Sequence, residues 1–452
     1  MNKKVLIKNG CVLTLDKKLG NFKQADILIE GSKIIAIQPE INLSDCEIID
    51  ASNMIIMPGL IDTHRHTWES LVRNVGSDWS LETYLGNMYF GNIGSKLRPE
   101  DAYIANLIGT LEAIDAGVTT IVDYSLIESP NHADELIRGL QDSGIRGVFA
   151  YGVPGSGGFW DHNSLDKHPE DARRVKKQYF SSNNQLITMG LAIRGPKFSA
   201  WETTEHDIQM ARELDCIASM HIGIGIWGKD AKFIEKLSQA GLLGPDLNFV
   251  HANYLSENEY KLVAESGASI SATPEIEMMM GHGDPATTQF IKNGGRPALG
   301  VDVVTSTGGD MFAQIKFALQ ATRAKMNLEM HSTGKMPGTL GLSALDVLEF
   351  ATIDGARALG LENKTGTLTP GKEADLIMIR TTDLNMFPIN DPIGAVVSAN
   401  TSNVDSVFIG GKPVKRNGKM LNIDLEDLRK RANSSRDYIF SQNGVPTGAW
   451  PL

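Results

Sequence analysis

Eight apolar runs alternate with helical patterns through the middle of this chain, and that alternation limits the fold more than any other feature. The first drives through "MIIMPGLIDTH" to His64. The others are "GVTTIVDYS", "RGVFAYGV", "LITMGLAIRG", "CIASMHIG", "LNFVHAN", "ASISATPE" and "PALGVDVV". Between them, residues 99–115, 203–214, 256–266 and 309–326 carry the spacing of helices, the third opened by Ser256 and Glu259 as a capping box. Apolar strands separated by helices make a parallel sheet covered on both faces, and eight is the strand count of an α/β fold of the (β/α)8 TIM barrel type. A doubly wound open sheet is the other arrangement with this grammar.

The chain ends follow a different rule. Residues 1–57 contain short strands with turns ("VLIKNGCVLTLD", "ADILIEGSKIIAI", "CEIIDASNMII"), and the same pattern returns in "TGTLTPGKEADLIMI" and "VDSVFIGGKPVKRNGK". The expected organisation is therefore a barrel over 58–364 and one small β-sandwich domain built from 1–57 and 365–452. The helical "DLEDLRKRANSSRDYIFSQ" is expected to pack back on the barrel or on a partner subunit of a homo-oligomer.

Composition narrows the partners. Of 452 residues, 42% are hydrophobic and 21% charged, ordinary for a soluble α/β enzyme, and the net charge of −11 argues against nucleic-acid or anionic-membrane surfaces. A small-molecule substrate is expected. Cys11, Cys46 and Cys216 make no Cys-x-x-Cys motif or disulfide framework, which points to a reducing compartment. The start "MNKKVLIKNGCVLTLD" alternates like a strand instead of a signal peptide, and no segment reaches the roughly 18 apolar residues of a membrane span. A cytoplasmic protein is the expectation.

In a barrel, polar residues at the C-terminal strand ends share one pocket. These are His64 and His66 from the first strand, His221 from the fifth, His251 from the sixth and Asp302 from the eighth. His64 and His66, at i and i+2 on a strand, point the same way. Singly, His221 or His251 reads as a core histidine and Asp302 as a cap; ending separate strands of one barrel, they read as a metal site. Imidazoles and a carboxylate with a position left for water suit a hydrolytic ion, which lowers the pKa of bound water from ~16 to ~7.

The chain resembles the amidohydrolase superfamily along nearly its whole length: "PGLIDTHRH", "TLEAIDAGVTTIVDY", His221, "VHANYLSENE", "LGVDVVTS" and "GTLTPGKEADLIMI" carry the likeness. The order is similar to the branch of cytosine, guanine and S-adenosylhomocysteine deaminases and triazine hydrolases. The resemblance implies one divalent ion, Zn2+ or Fe2+, on His64, His66, His221 and Asp302, with His251 facing the substrate and Asp302 taking the proton of water. It implies a metal-dependent hydrolase that displaces an amino or similar leaving group from a small nitrogen-containing substrate. Cyclic amide hydrolysis or dehalogenation is the alternative, and a non-catalytic scaffold a remote one, disfavoured because the ligand positions are filled. Lys197, in "IRGPK", is the nearest candidate for a bridging carboxylated lysine, but Gly195-Pro196 makes that segment a loop.

One departure stands out. In these deaminases a glutamate usually follows the fifth-strand histidine by three residues and shuttles protons; here that position is Ile224. General acid-base catalysis contributes ~10² to 10⁴-fold, so a substitute is expected, and Glu277 or Glu275, read as alternating on the seventh strand, is the candidate. Arg194, His282, Trp79 and Tyr84 are the candidate substrate contacts, the aromatics belonging with Tyr89 and Phe90 to a lid over a flat ring. The glycine-rich "GVPGSGGFW" lacks the Lys-Ser/Thr of a phosphate loop and reads as a rim loop.

Overall fold

The computed structural model describes residues 4–156 and 159–446; Gly157 and Gly158 of the glycine-rich run lie outside the described residues. Two sheets organise the chain. The first is a nine-stranded mixed sheet to which both ends contribute. Lys4–Val12 pairs antiparallel with Phe22–Glu30 and parallel with Glu47–Asp50. The chain ends meet where Met54–Pro58 pairs antiparallel with Leu376–Arg380, which leads on to Val404–Ile409 and Lys412–Arg416. Alternating Ile, Val and Leu side chains of these strands bury one face, with Ile7, Ile27, Ile56 and Leu376 fully enclosed.

The second sheet holds eight parallel strands in sequence order: Leu60–Arg65, Val118–Tyr124, Arg146–Tyr151, Ile187–Ala192, Ile217–Ile222, Leu247–His251, Ser269–Ala272 and Ala298–Leu299. Seven fall within the apolar runs of the sequence, and the first extends one residue beyond its run, to Arg65. The last strand is short, and backbone bonds just beyond it bring the ends of the sheet together: Asp302 N–H donates to His64 O and His66 N–H to Asp302 O, both over 2.9 Å. The barrel thus closes through the residues expected to hold a metal. Helices follow the sequence pattern, including Pro99–Asp115, Trp201–Glu213, Glu257–Ser266 with its Ser256/Glu259 capping box, and Met311–Ser332. The C-terminal helix Leu425–Asn443 lies against Pro99–Asp115, where Arg98 stacks 3.7 Å from the Tyr438 ring centroid. No helix of the described residues is long and apolar enough to cross a membrane.

A buried ion pair fastens barrel to terminal sheet. Arg146, on the third barrel strand, donates through Nε to Asp375 over 2.5 Å and through Nη2 to Asp375 and Glu373 over 3.2 and 3.3 Å. Both Arg146 and Asp375 are shielded from solvent. Asp375→Ala leaves a guanidinium buried without its main partner, so unfolding free energy should fall by about 3–5 kcal/mol in denaturant titration. A loss within measurement error of zero would show that Glu373 and water compensate.

Candidate active site

The first barrel strand ends inside the barrel mouth, so His64 and His66 both face inward and both are buried. His64 Nε2 lies 3.1 Å from Asp302 Oδ1, and His66 Nε2 lies 3.4 Å from the same oxygen. His221, from the fifth strand, places Nε2 3.2 Å from His64 Nε2, and His251, from the sixth, places Nε2 3.8 Å from Asp302 Oδ2. The ligand atoms of His64, His221, His251 and Asp302 lie within 4.8 Å of one another. His251 is therefore nearer the cluster than a purely substrate-facing group, while His66 joins through Asp302.

Backbone strain marks the same place. His251, Ala252 and Asp302 adopt φ of +69°, +55° and +71°, a region that costs non-glycine residues on the order of 1–3 kcal/mol each. The turn at His251 is held because Ala252 N–H donates to Ile222 O and the Tyr260 hydroxyl donates to Ala252 O. Asp302 is held by the bonds that close the barrel.

Protonation follows from burial. Desolvation lowers His64 and His251 to about 4 and His221 well below the usual imidazole value. Burial opposes the charge on Asp302, yet hydrogen bonds from His64 and His66 and the field of the neighbouring imidazoles hold its carboxyl well below the usual range. Neutral imidazoles around an ionised carboxylate are the donor set a divalent ion requires. The Nε2 atoms of His64 and His221 face each other across 3.2 Å, and Asp302 Oδ1 lies 3.1 Å from the first of them. The residues present fit a bound metal.

The seventh-strand glutamates are placed differently from expectation. The strand stops at Ala272, and Pro274 at the first helical turn starts the short helix Pro274–Met279. On a helix, residues two apart point to nearly opposite sides. Glu277 turns inward, fully buried, with Oε1 3.3 Å from His251 Nδ1 and accepting from Thr273 N–H over 2.9 Å. Burial pushes its carboxyl up to about 7. Glu275 turns away and accepts from Gln314 Nε2 over 2.8 Å. Glu277 thus stands behind His251, and Glu275 belongs to the helix packing.

Above the cluster is a pocket with about 480 Å³ of unfilled space, its open mouth included. Ile224 forms part of its wall, an apolar side chain at the position where the sequence resemblance implied a glutamate. Helix Leu81–Met88, capped by Ser80, presents Leu81, Tyr84 and Leu85 at i, i+3 and i+4, and Leu81 N–H donates to Met280 O over 2.9 Å, tying this lid to the loop after the seventh strand. His282 lines the pocket with its ring 4.6 Å from that of His251, and burial lowers it to about 4. Tyr89, Trp160, Phe198 and Trp227 complete the aromatic wall.

Two expected substrate contacts do other things. Trp79 lies outside the pocket lining: its ring packs so closely on Gly76 that a Cβ there would overlap it. Arg194 is buried and donates to the carbonyls of Phe159 and Asp166 and to Ser164 Oγ, which clamps the loop that carries Trp160. Its guanidinium is occupied by that loop, so it is unavailable to a ligand. Of the other aromatics, Phe90 is half exposed, and Lys197 Nζ sits 5.3 Å from the Trp227 ring centroid. Tyr124 escaped the sequence reading. It ends the second barrel strand, donates to Ile193 O over 3.0 Å, and sets its ring 4.7–5.1 Å from those of His64, His66 and His221 as the floor of the site.

Comparison with known proteins agrees with this geometry. The model of the amidohydrolase family matches residues 55–414. A 5'-deoxyadenosine deaminase of Methanosphaera stadtmanae is 29% identical over 435 residues, covering 94% of this chain and 96% of the relative. A 5-methylthioadenosine/S-adenosylhomocysteine deaminase of Acetivibrio thermocellus is 28% identical over 446 residues, 94% and 97% of the two chains. Among solved structures, an adenosine deaminase from Xanthomonas campestris with bound zinc superposes with a TM-score of 0.85 at 22% identity, covering 97% and 99%. Atrazine chlorohydrolase from Arthrobacter aurescens complexed with zinc gives 0.82 at 22%, covering 96% and 100%. The chain belongs to the amidohydrolase family. It is a metal-dependent hydrolase acting on a carbon–nitrogen bond of a small nitrogen-containing molecule.

Proposed function

We propose that this enzyme displaces an amino group from a nitrogen heterocycle, with a single divalent ion, zinc or iron, held by His64, His66, His221 and Asp302. The observation that carries this reading is the convergence of His64 and His66 on Asp302, with His221 and His251 beside them, beneath an aromatic pocket. A bound ion supplies Lewis acidity and an activated water at neutral pH. Asp302 accepts the proton of the attacking water. His251 directs Nε2 toward Asp302 and Nδ1 toward Glu277, so Glu277 sets its tautomer and orientation while Nε2 serves the reacting atoms. Tyr84, Tyr89, Trp160 and Trp227 are suited to hold a flat ring. The catalytic unit is the barrel, 58–364, with the terminal segments as its support.

The relatives named as deaminases support an amino leaving group. Ile224 favours a second reading, in which the leaving group departs with little proton delivery, as a halide does. A screen of zinc-loaded protein against amino-, chloro- and oxo-substituted heterocycles and cyclic amides separates the two. Ammonia release from an amino-heterocycle supports the first reading, chloride release alone supports the second, and ring opening of cyclic amides alone overturns both.

A further inference from the structure

Trp160 reaches the pocket on the loop between the third barrel strand and the helix Asp171–Tyr179. Its indole N–H donates to Pro154 O over 2.7 Å within that loop, and its ring meets those of Tyr89 and Phe198 at 5.0 and 5.6 Å between centroids. Such ring pairs are tolerated over centroid distances of about 4.5–7 Å, so they do not fix the wall by themselves. The backbone beside Trp160 has to be held by something stiffer.

Arg194 holds it. The guanidinium donates through Nη1 to Phe159 O and, over 3.1 Å, to Ser164 Oγ, and through Nη2 to Asp166 O. A guanidinium presents its donors in a rigid planar fork, and these bonds bracket Trp160 from both sides along the chain. The base of the fork is rigid as well: Ile193 N–H donates to Ser219 O over 2.9 Å, and Ile193 O accepts from the Tyr124 hydroxyl over 3.0 Å. Gly195, at φ +69°, then turns the chain, and Phe198 N–H donates to Gly195 O over 3.2 Å, which sets Phe198 beside Trp160. Asp207 Oδ2 stands 4.0 Å from Arg194 Nη2, and its Oδ1 accepts from the backbone N–H of His168 over 2.9 Å. The charge that offsets Arg194 thus also holds the far end of the loop.

We propose that Arg194 is a positioning residue for substrate affinity: without touching the substrate, it fixes Trp160 as one wall of the pocket. The proposal rests on that pocket binding a flat heterocycle. A wall that meets the ring in the ground state and the transition state alike contributes to binding and not to the chemical step. Ser164 O also accepts from Ala200 N–H over 3.0 Å and from the Thr203 hydroxyl over 3.1 Å, so loss of Arg194 loosens the loop at Phe159 and Trp160 while its far end stays attached.

The test compares zinc-loaded wild type, Arg194→Met, Arg194→Lys, Trp160→Leu and the double variant of Arg194→Met with Trp160→Leu. The probe is adenine or, where wild type leaves adenine unchanged, the member of the heterocycle screen that it turns over fastest. Arg194→Met and Trp160→Leu should each raise KM by ~5- to 100-fold, the range for loss of an aromatic surface beneath a flat base, with kcat within about 3-fold of wild type. Arg194→Lys keeps the charge beside Asp207 but cannot span Phe159 and Asp166 together, so its KM should fall between those of wild type and Arg194→Met. The double variant should have a KM no higher than Trp160→Leu, because Arg194 acts through that ring. Hydrogen exchange read by mass spectrometry should be faster in Arg194→Met across residues 159–166 and unchanged in the barrel strands. A wild-type KM in Arg194→Met, a fall in kcat at unchanged KM, multiplied effects in the double variant or unchanged exchange across 159–166 overturns the proposal. If Arg194→Met does not fold, Arg194→Lys decides: wild-type KM and exchange in that variant overturn the proposal, and a raised KM with faster loop exchange supports it. Wild type inert toward every heterocycle of the screen overturns the reading of the pocket itself, a result distinct from all of these.

Discussion

Asp302→Asn should abolish turnover and strip the metal while leaving the fold intact. Asp302 is the charge on which the cluster converges, 3.1 Å from His64, 3.4 Å from His66 and 3.8 Å from His251. Asparagine keeps the shape, and it tolerates the φ of +71° at this position better than most side chains do. What it loses is the negative charge and the ability to take a proton. Loss of both should lower the rate by at least ~10³-fold, and His66→Ala should act similarly through the loss of a ligand. Initial rates and metal content of the purified variants check this. An Asp302→Asn protein with full metal occupancy and more than about 1% of wild-type turnover would remove Asp302 from both roles.

His251→Gln should lower the rate by ~10² to 10⁴-fold, the usual contribution of a group that handles protons in the transition state. Glu277→Gln should cost about 10²-fold or somewhat less, since the amide oxygen still accepts from His251 but carries no charge. The two residues act as a unit, with Glu277 Oε1 3.3 Å from His251 Nδ1. The double variant should therefore be no slower than His251→Gln. Multiplying effects in the double variant would mean that Glu277 reaches the substrate by its own route.

The sequence made the barrel legible because each strand is an apolar run and each is separated by helical spacing, so strand order and the polar residues at strand ends follow together. His64, His66, His221, His251 and Asp302 meet for that reason. The terminal sheet was legible from its short alternating strands, which require partners that only the other chain end supplies. What escaped depends on directions set by local breaks or by distant contacts. Pro274 turns the seventh strand into a helix three residues before Glu277, which sends Glu275 outward and Glu277 behind His251. Arg194 looked free at a strand end, yet a loop some thirty residues earlier in the chain occupies its guanidinium.

The most direct test is the metal content of purified wild-type protein, measured together with turnover before and after chelation. One divalent ion per chain, loss of turnover on its removal and recovery when zinc is returned are the predicted results. Full turnover by metal-free protein would contradict the account at its centre, and two ions per chain would contradict the single-ion site on His64, His66, His221 and Asp302.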